Sequence, residues 1–395
     1  MRLAKKLCML SLVVFLTGCW DSVEINNRSV ILEFAIDKNM DKVDEDASLD
    51  MQSVYNITYS IPDMAQLSGL DSLAEDMKTN IMVQAPTIAT SVDDLETRTR
   101  NTVTFSHVKV ILLGEDLLKD AKLLEESIDA ITRGRVIARN VPLLAVKGKA
   151  EDAQNIQNSQ QPILGLYIMN YFNNRERPKA YFKPQLLGNF IRDMQDTGVA
   201  TMPIFHLPET IEEDSDTTYP VTEYEISGGA IIKNYELVDY VDKEVVRGQL
   251  LIDGDSKNSP VVIEYKDRPL TYILQRQNSK IKFNDGPEGV FCIIEIETVG
   301  DIAEYVSTSH ESLFTIETIE EVKNLVADEV AKQVFWAIDR AKDMNVDFLK
   351  IGQEMYRKYP DLWERYEENW EVDGFRNMPI TVQITTNIEN TGIIQ

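Results

Sequence analysis

Cysteine and histidine are the scarce residues of this 395-residue chain, with three of each. Cys8 and Cys19 fall at the N-terminus, which leaves Cys292 alone in the body, so no internal disulfide framework can form. His107, His206 and His310 lie far apart, and none has a second ligand at the close spacing of a helical zinc pair. A glycine-rich phosphate loop ending in Lys-Ser or Lys-Thr is missing, and so is a Gly-x-Ser-x-Gly nucleophile elbow. Positive charge is scarce as well: 40 Lys and Arg stand against 65 Asp and Glu, for a net charge of −25. Such a surface repels phosphate backbones, which excludes nucleic acid as a partner. It equally excludes adsorption to anionic headgroups by net charge alone.

What is present starts with a leader. "MRLAKK" supplies Arg2, Lys5 and Lys6, and "LCMLSLVVFL" (7–16) is a short apolar run. A cationic start, a short hydrophobic core and small residues before a cut describe a secretory signal peptide. Ten residues fall short of the roughly 20 that span a bilayer. The junction "LTGCW" (16–20) resembles a bacterial lipobox: aliphatic Leu16, small Thr17 and Gly18, then Cys19. It implies lipid transfer to the Cys19 thiol, removal of residues 1–18 and a mature chain that starts at Cys19. An ordinary signal peptide followed by an incidental cysteine is the competing reading. Two or more acyl chains suffice for stable anchoring. Beyond the leader, a hydrophobic fraction of 43% is that of a folded protein, and the length suggests two or three domains.

Patterning along the body points to a mixed α/β (α+β) multi-domain fold with mixed and antiparallel sheets packed by helices. "RSVILEFAIDK" (28–38) and "MQSVYNITYSI" (51–61) read as strands. A helix is expected from Ser91, with Ser91 and Asp94 as its start signature. "TVTFSHVKVILLG" (102–114) reads as one core strand, and 115–133 as one helix with Leu117, Leu118, Leu123, Leu124, Ile128 and Ile131 near one apolar face. Residues 140–154 give a strand, a turn at Gly148 and a helix start. "LPETIEEDSDTTYPVT" (207–222) has no apolar period, many carboxylates and two prolines, and so marks a boundary or exposed loop. After it, five strand-like runs suggest an antiparallel sheet, among them "YEISGGAIIK", "EVVRGQLLIDG" and "VFCIIEIET". A long helix follows from about Thr318, where "TIEE" has capping-box spacing and Val322, Val326, Val330, Val334 and Ile338 recur every fourth residue. Pro360 interrupts further helix, and "PITVQITTNI" (379–388) is a last strand.

Candidate chemistry is thin. Ser106 and His107 sit side by side, but neighbours on one strand point to opposite faces, so a nucleophile–base pair fails there and a packed, hydrogen-bonded His107 is expected. Asp253, Gly254, Asp255 and Asn258 match only part of a calcium loop, and a hairpin turn explains them better. Cys292, in an apolar strand, is expected to pack as a small hydrophobe. No residue set indicates an enzyme, a metal or a cofactor other than the lipid on Cys19.

Several segments together resemble one family, the C-subunit lipoproteins of nutrient germinant receptors in spore-forming bacteria. "CWDSVEINN" (19–27) is similar to the family's mature start, with Cys19, Trp20, Asp21 and Glu24 at the expected offsets and Ile25 where leucine is usual. "TFSHVKVILLGEDLL", "ITRGRVIARNVPLLAVKGKAED", "GGAIIKNYELVDYVDKEVVRGQLLIDG", "VDFLKIGQEMYRKYPDLWERYEENWE" and "PITVQITTNIENTG" follow in the family's order. The resemblance implies a non-enzymatic protein anchored through Cys19 on the outer face of the spore inner membrane. It implies assembly with the integral-membrane A and B subunits, and domains at 19–206 and 223–395 flanking the 207–222 stretch, with a third subdomain open. Trp20 suits the water–lipid interface, and Asp21 and Glu24 are expected either to meet partner loops or merely to complete the tether. A solute-binding lipoprotein of a transporter is the alternative, and an extracytoplasmic hydrolase a further one.

Overall fold

A computed structural model describes residues 28–41, 52–63, 77–134, 136–156, 161, 163–174, 176–178, 180–207, 224–287, 289–305 and 315–391. The first half runs β1 (Arg28–Val30), β2 (Glu33–Lys38), β3 (Tyr55–Pro62), β4 (Lys78–Ala85), α1 (Ile88–Arg98), β5 (Thr102–Thr104), β6 (Val110–Gly114), α2 (Glu115–Leu118), α3 (Ala121–Arg133), β7 (Leu143–Val146), α4 (Ala150–Asn155), α5 (Leu164–Asn173), α6 (Leu187–Asp196) and β8 (Val199–His206). Strands β6 and β7 read VILLG and LLAV without a polar residue. Runs of that kind belong to parallel strands covered on both faces. Accordingly β2, β6, β7 and β8 are mutually parallel, β3 adds antiparallel beside β2, and β4 antiparallel beside β3.

Alternation along each strand divides the core into two layers. Phe34, Ile36, Ile111, Leu113 and Leu143 face one way, against Leu95 of α1, Leu124 and Ile128 of α3 and Phe190 of α6. Ala35, Val110, Leu112, Leu144 and Val146 face the other way, against Ala150 and Ala153 of α4 and Leu164 and Ile168 of α5. Each fully buried aliphatic side chain contributes about 1.5–3 kcal/mol.

The chain then continues through β9 (Glu225–Lys233), β10 (Glu236–Val241), α7 (Lys243–Asp253), β11 (Ser259–Tyr265), β12 (Arg268–Gly286), β13 (Gly289–Tyr305), α8 (Ile316–Met344), α9 (Ile351–Lys358), α10 (Pro360–Trp363) and β14 (Ile380–Asn390). Strand β9 pairs antiparallel with β8, and β10 with β9. The large sheet therefore has eight strands, in the order β10-β9-β8-β7-β6-β2-β3-β4, and draws on both sides of the acidic stretch. Residues 208–222 of that stretch lie outside the described residues. A second sheet, β11-β12-β13-β14, is antiparallel except for β14, which runs parallel to β13. Helices α7 and α8 and the segment around α9 cover its apolar face, with Val326, Val330, Val334, Ile294, Cys292 and Phe375 in one core. The chain is thus a mixed α/β protein whose mixed and antiparallel sheets are packed by helices.

Several local expectations are corrected. The 102–114 stretch is two strands joined by a turn, because Val108 N–H donates to Phe105 O at 3.2 Å. Phe105 turns in against Phe34 and Tyr59, with centroids 6.3 and 5.7 Å away. The 28–38 stretch likewise changes partner: Ile31 N–H donates to Thr104 O, and Leu32 O accepts from Lys109 N–H. Helix α1 starts at Ile88, capped by Thr87, while Ser91 is buried and bonded to Tyr59 Oη at 2.6 Å. The 115–133 helix is broken at Asp120, whose carboxylate accepts from Leu123 N–H and starts α3. Helix α8 begins three residues before "TIEE", at a Thr315 cap. The largest correction is "EVVRGQLLIDG", a helix rather than a strand. Asp242 caps it through Val245 N–H, and Gly254 ends it in the left-handed region at φ 74°.

Candidate functional site

Cys19, Trp20, Asp21 and Glu24 lie outside the described residues, as does His310. The structure does place the position at which their segment joins the fold. Arg28 opens β1, which pairs in parallel register with β5, Arg28 beside Thr102 and Val30 beside Thr104.

The other candidates take structural roles. His107 sits exposed in the 105–109 turn, without a hydrogen-bond partner among the described residues, which corrects its expected packing. Its neighbour Ser106 hydrogen-bonds to Thr104 instead. His206 Nε2–H donates to the Ser227 carbonyl at 2.9 Å and ties β8 to β9. Asp253 pairs with Lys183 at 2.6 Å, and Asn258 donates to the Glu176 carbonyl, so the Asp-Gly-Asp stretch is a helix end, neither a calcium loop nor a hairpin. Cys292 is buried and free, and burial pushes its thiol up to about 12. No group of three or more His, Cys, Asp or Glu among the described residues is arranged to hold a metal.

Two buried carboxylates on β2 went unnoticed in the sequence. Asp37 accepts from Ala150 N–H at 2.7 Å and Glu151 N–H at 3.0 Å, and so satisfies the first turn of α4. Glu33 accepts from Gly165 N–H at the start of α5 and pairs with Lys78 at 3.1 Å. Burial, partly offset by the two amide donors, raises Asp37 to about 6. Neither group faces a cleft, and "LEFAID" offers nothing to separate such acids from solvated ones.

A cleft of about 780 Å³ opens between the end of α6 and the segment after α8. Two charge pairs and a hydrogen bond hold it: Lys350 to Asp193 at 2.6 Å, Lys233 to Glu371, and Gln353 Nε2–H donating to Asp196 at 3.4 Å. Beneath it, buried Asp347 accepts from Ile351 N–H, Gly352 N–H and Trp370 Nε1–H at 2.7–3.0 Å, and burial raises its pKa. A Cβ at Gly352 would lie 2.5 Å from that indole nitrogen. The Lys350–Asp193 and Gln353–Asp196 contacts join the two halves of the chain across the cleft, and exposed Glu367 and Glu368 add to its lining. No described helix is long and apolar enough to cross a membrane.

Comparison with known proteins supplies what the geometry leaves open. Residues 21–207 match the family described as "Spore germination protein N-terminal domain", and residues 227–392 match "Spore germination B3/ GerAC like, C-terminal". Relatives in Bacillus subtilis (strain 168) align over nearly their whole length. Spore germination protein YndF is 23% identical over 97% of this chain and 95% of its own. Spore germination protein KC is 22% identical over 98% and 95%, and spore germination protein B3 is 22% identical over 98% and 97%. The crystal structure of the GerBC protein shares the fold, with a TM-score of 0.58 at 17% identity over 90% of this chain and 97% of that one. With both halves matched in order and the fold shared, the chain belongs to the GerAC-like family of spore germination proteins.

Proposed function

We propose that this chain is the non-catalytic, membrane-anchored C subunit of a nutrient germinant receptor. In this reading a diacylglycerol lipid on Cys19 holds it on the extracytoplasmic face of the spore inner membrane. There it assembles with the integral-membrane A and B subunits and supports nutrient-triggered germination through assembly or signalling. The observation that carries the reading is the ordered family match, which starts at Asp21, two residues after the lipobox-like cysteine. Domains at 19–206 and 223–395 belong to the same proposal. A transporter's solute-binding lipoprotein has two similar lobes around a cleft, whereas here one eight-stranded sheet crosses the middle of the chain.

The test is a mild-detergent pull-down of the tagged protein from sporulating-cell membranes, with mass spectrometry of companions and N-terminus. Two polytopic germination subunits and a lipid-modified Cys19 are the expected result; a permease with an ATPase would refute it. Asp21→Ala and Glu24→Ala, each with lipidation intact, are expected to lower recovery of those companions. Unchanged recovery would reduce the two carboxylates to parts of the tether.

A further inference from the structure

A net charge of −25 conceals a local exception. Residues 97–114 and 130–150 contain no Asp or Glu and carry eight Lys and Arg. Folding brings the leading portions of both segments to one end of the large sheet. Strands β2, β6 and β7 are parallel and start together: Lys109 N–H donates to Leu32 O at 2.7 Å, and Ile111 N–H to Pro142 O at 3.0 Å. The stretches that feed these starts are therefore neighbours. They are the chain's own approach at Arg28, the 105–109 turn and the connection before Val141.

Arg28, Arg100 and Arg139 are exposed on these stretches, and Lys109 is half-buried. None of the four has a carboxylate partner among the described residues. Elsewhere in the fold Lys38, Lys183, Lys233 and Lys350 each hold one. At this end the buried Glu33, which opens β2, is taken up by Lys78 at 3.1 Å, and Asp129 pairs with Arg133. Val136, in the connection before β7, is 52% exposed and adds an apolar side chain among the cations.

We propose that this end of the sheet faces the bilayer and binds anionic lipid headgroups through Arg28, Arg100, Lys109 and Arg139. The inference rests on Cys19 being the lipid anchor. Nine residues link Cys19 to Arg28, and at about 3.3–3.6 Å each they hold Arg28 within roughly 30 Å of the anchored cysteine. Charge acts on a headgroup only within a Debye length of about 8 Å at physiological salt. The end that carries the tether is thus held near the bilayer, and four cations without a carboxylate partner sit on it. Turning this end down also points the acidic remainder of the surface away from the headgroups.

The lipidated full chain, reconstituted into vesicles, provides the test. Ser106 is exposed in the 105–109 turn, and Met40 is exposed just beyond the opposite end of β2. Ser106→Cys and Met40→Cys each take a fluorophore, since Cys292 is fully buried and Cys19 carries lipid. Vesicles contain a nitroxide-headgroup lipid in phosphatidylcholine, with or without phosphatidylglycerol. We expect quenching of the Ser106 probe only when phosphatidylglycerol is present, its loss at high salt, and its loss in an Arg28→Glu, Arg100→Glu, Arg139→Glu variant with an unchanged circular dichroism spectrum. The Met40 probe should stay bright throughout. Equal quenching at both sites, or quenching at Ser106 that ignores phosphatidylglycerol and the charge reversal, overturns the proposal. Failure of the wild-type chain to stay on neutral vesicles, matched by Cys19→Ala, would instead overturn the anchor.

Discussion

Three buried acids in this chain, Glu33, Asp37 and Asp347, sit where helices begin, and their environment decides their charge. Desolvation holds Asp37 at about 6, above its ordinary 3.8, although two amides donate to it. The sign follows from proton binding: between about pH 4 and 6 the folded chain keeps a proton that the unfolded chain releases. Stability from this group is therefore full below about pH 4 and declines as pH rises through 6, by up to roughly 3 kcal/mol. Denaturant unfolding at pH 4.5 and 6.5 should show Asp37→Asn with a smaller loss over that interval than wild type; parallel losses would contradict the assignment. Cys292 is the contrasting case, because its apolar run already disclosed a packed thiol. His107 was misread for want of the turn that exposes it.

At the scale of the element, helix α7 carries the main lesson. "EVVRGQLLIDG" is rich in β-branched and apolar residues and interrupted by glycine, which favours a strand on local pattern. Packing against α8 decides otherwise. A Cβ on Gly248 would sit 2.2 Å from Gln333 O and 2.7 Å from Ala337 Cβ, so the helix backbones meet at that point. Gly248→Val is expected to cost about 1–3 kcal/mol through overpacking, read as a lower midpoint in thermal unfolding. A midpoint equal to wild type would show that the two helices separate without penalty. By contrast, the four-residue recurrence of valines disclosed α8 at once, since one stripe meets one sheet face.

For the whole molecule, the consequential contact is between β8 and β9, which carries the sheet across the acidic stretch. Residues 28–207 alone would end on a bare β8 edge, and such edges promote aggregation. Expressed separately, residues 28–207 should be poorly soluble, and co-expression with 224–391 should recover a one-to-one complex by size-exclusion chromatography. Two independently soluble, monodisperse pieces would show that each half folds without the other. The cross-cleft pair Lys350–Asp193 acts at the same boundary, and nothing in the linear order announces it.

The sequence by itself determined the lipobox-like "LTGCW" pattern, the acidic balance, the scarcity of cysteine and histidine and most element positions. These are properties of composition, spacing and period, each complete within a short window of chain. Tertiary structure alone decided which sheet β9 and β10 join, that 244–254 is helical, that Asp37 and Glu33 cap helices more than 100 residues away, and that the unpaired cations gather where the chain enters the fold. Those outcomes depend on long-range pairing and burial, where partners distant in sequence compete on free energies that no local window contains.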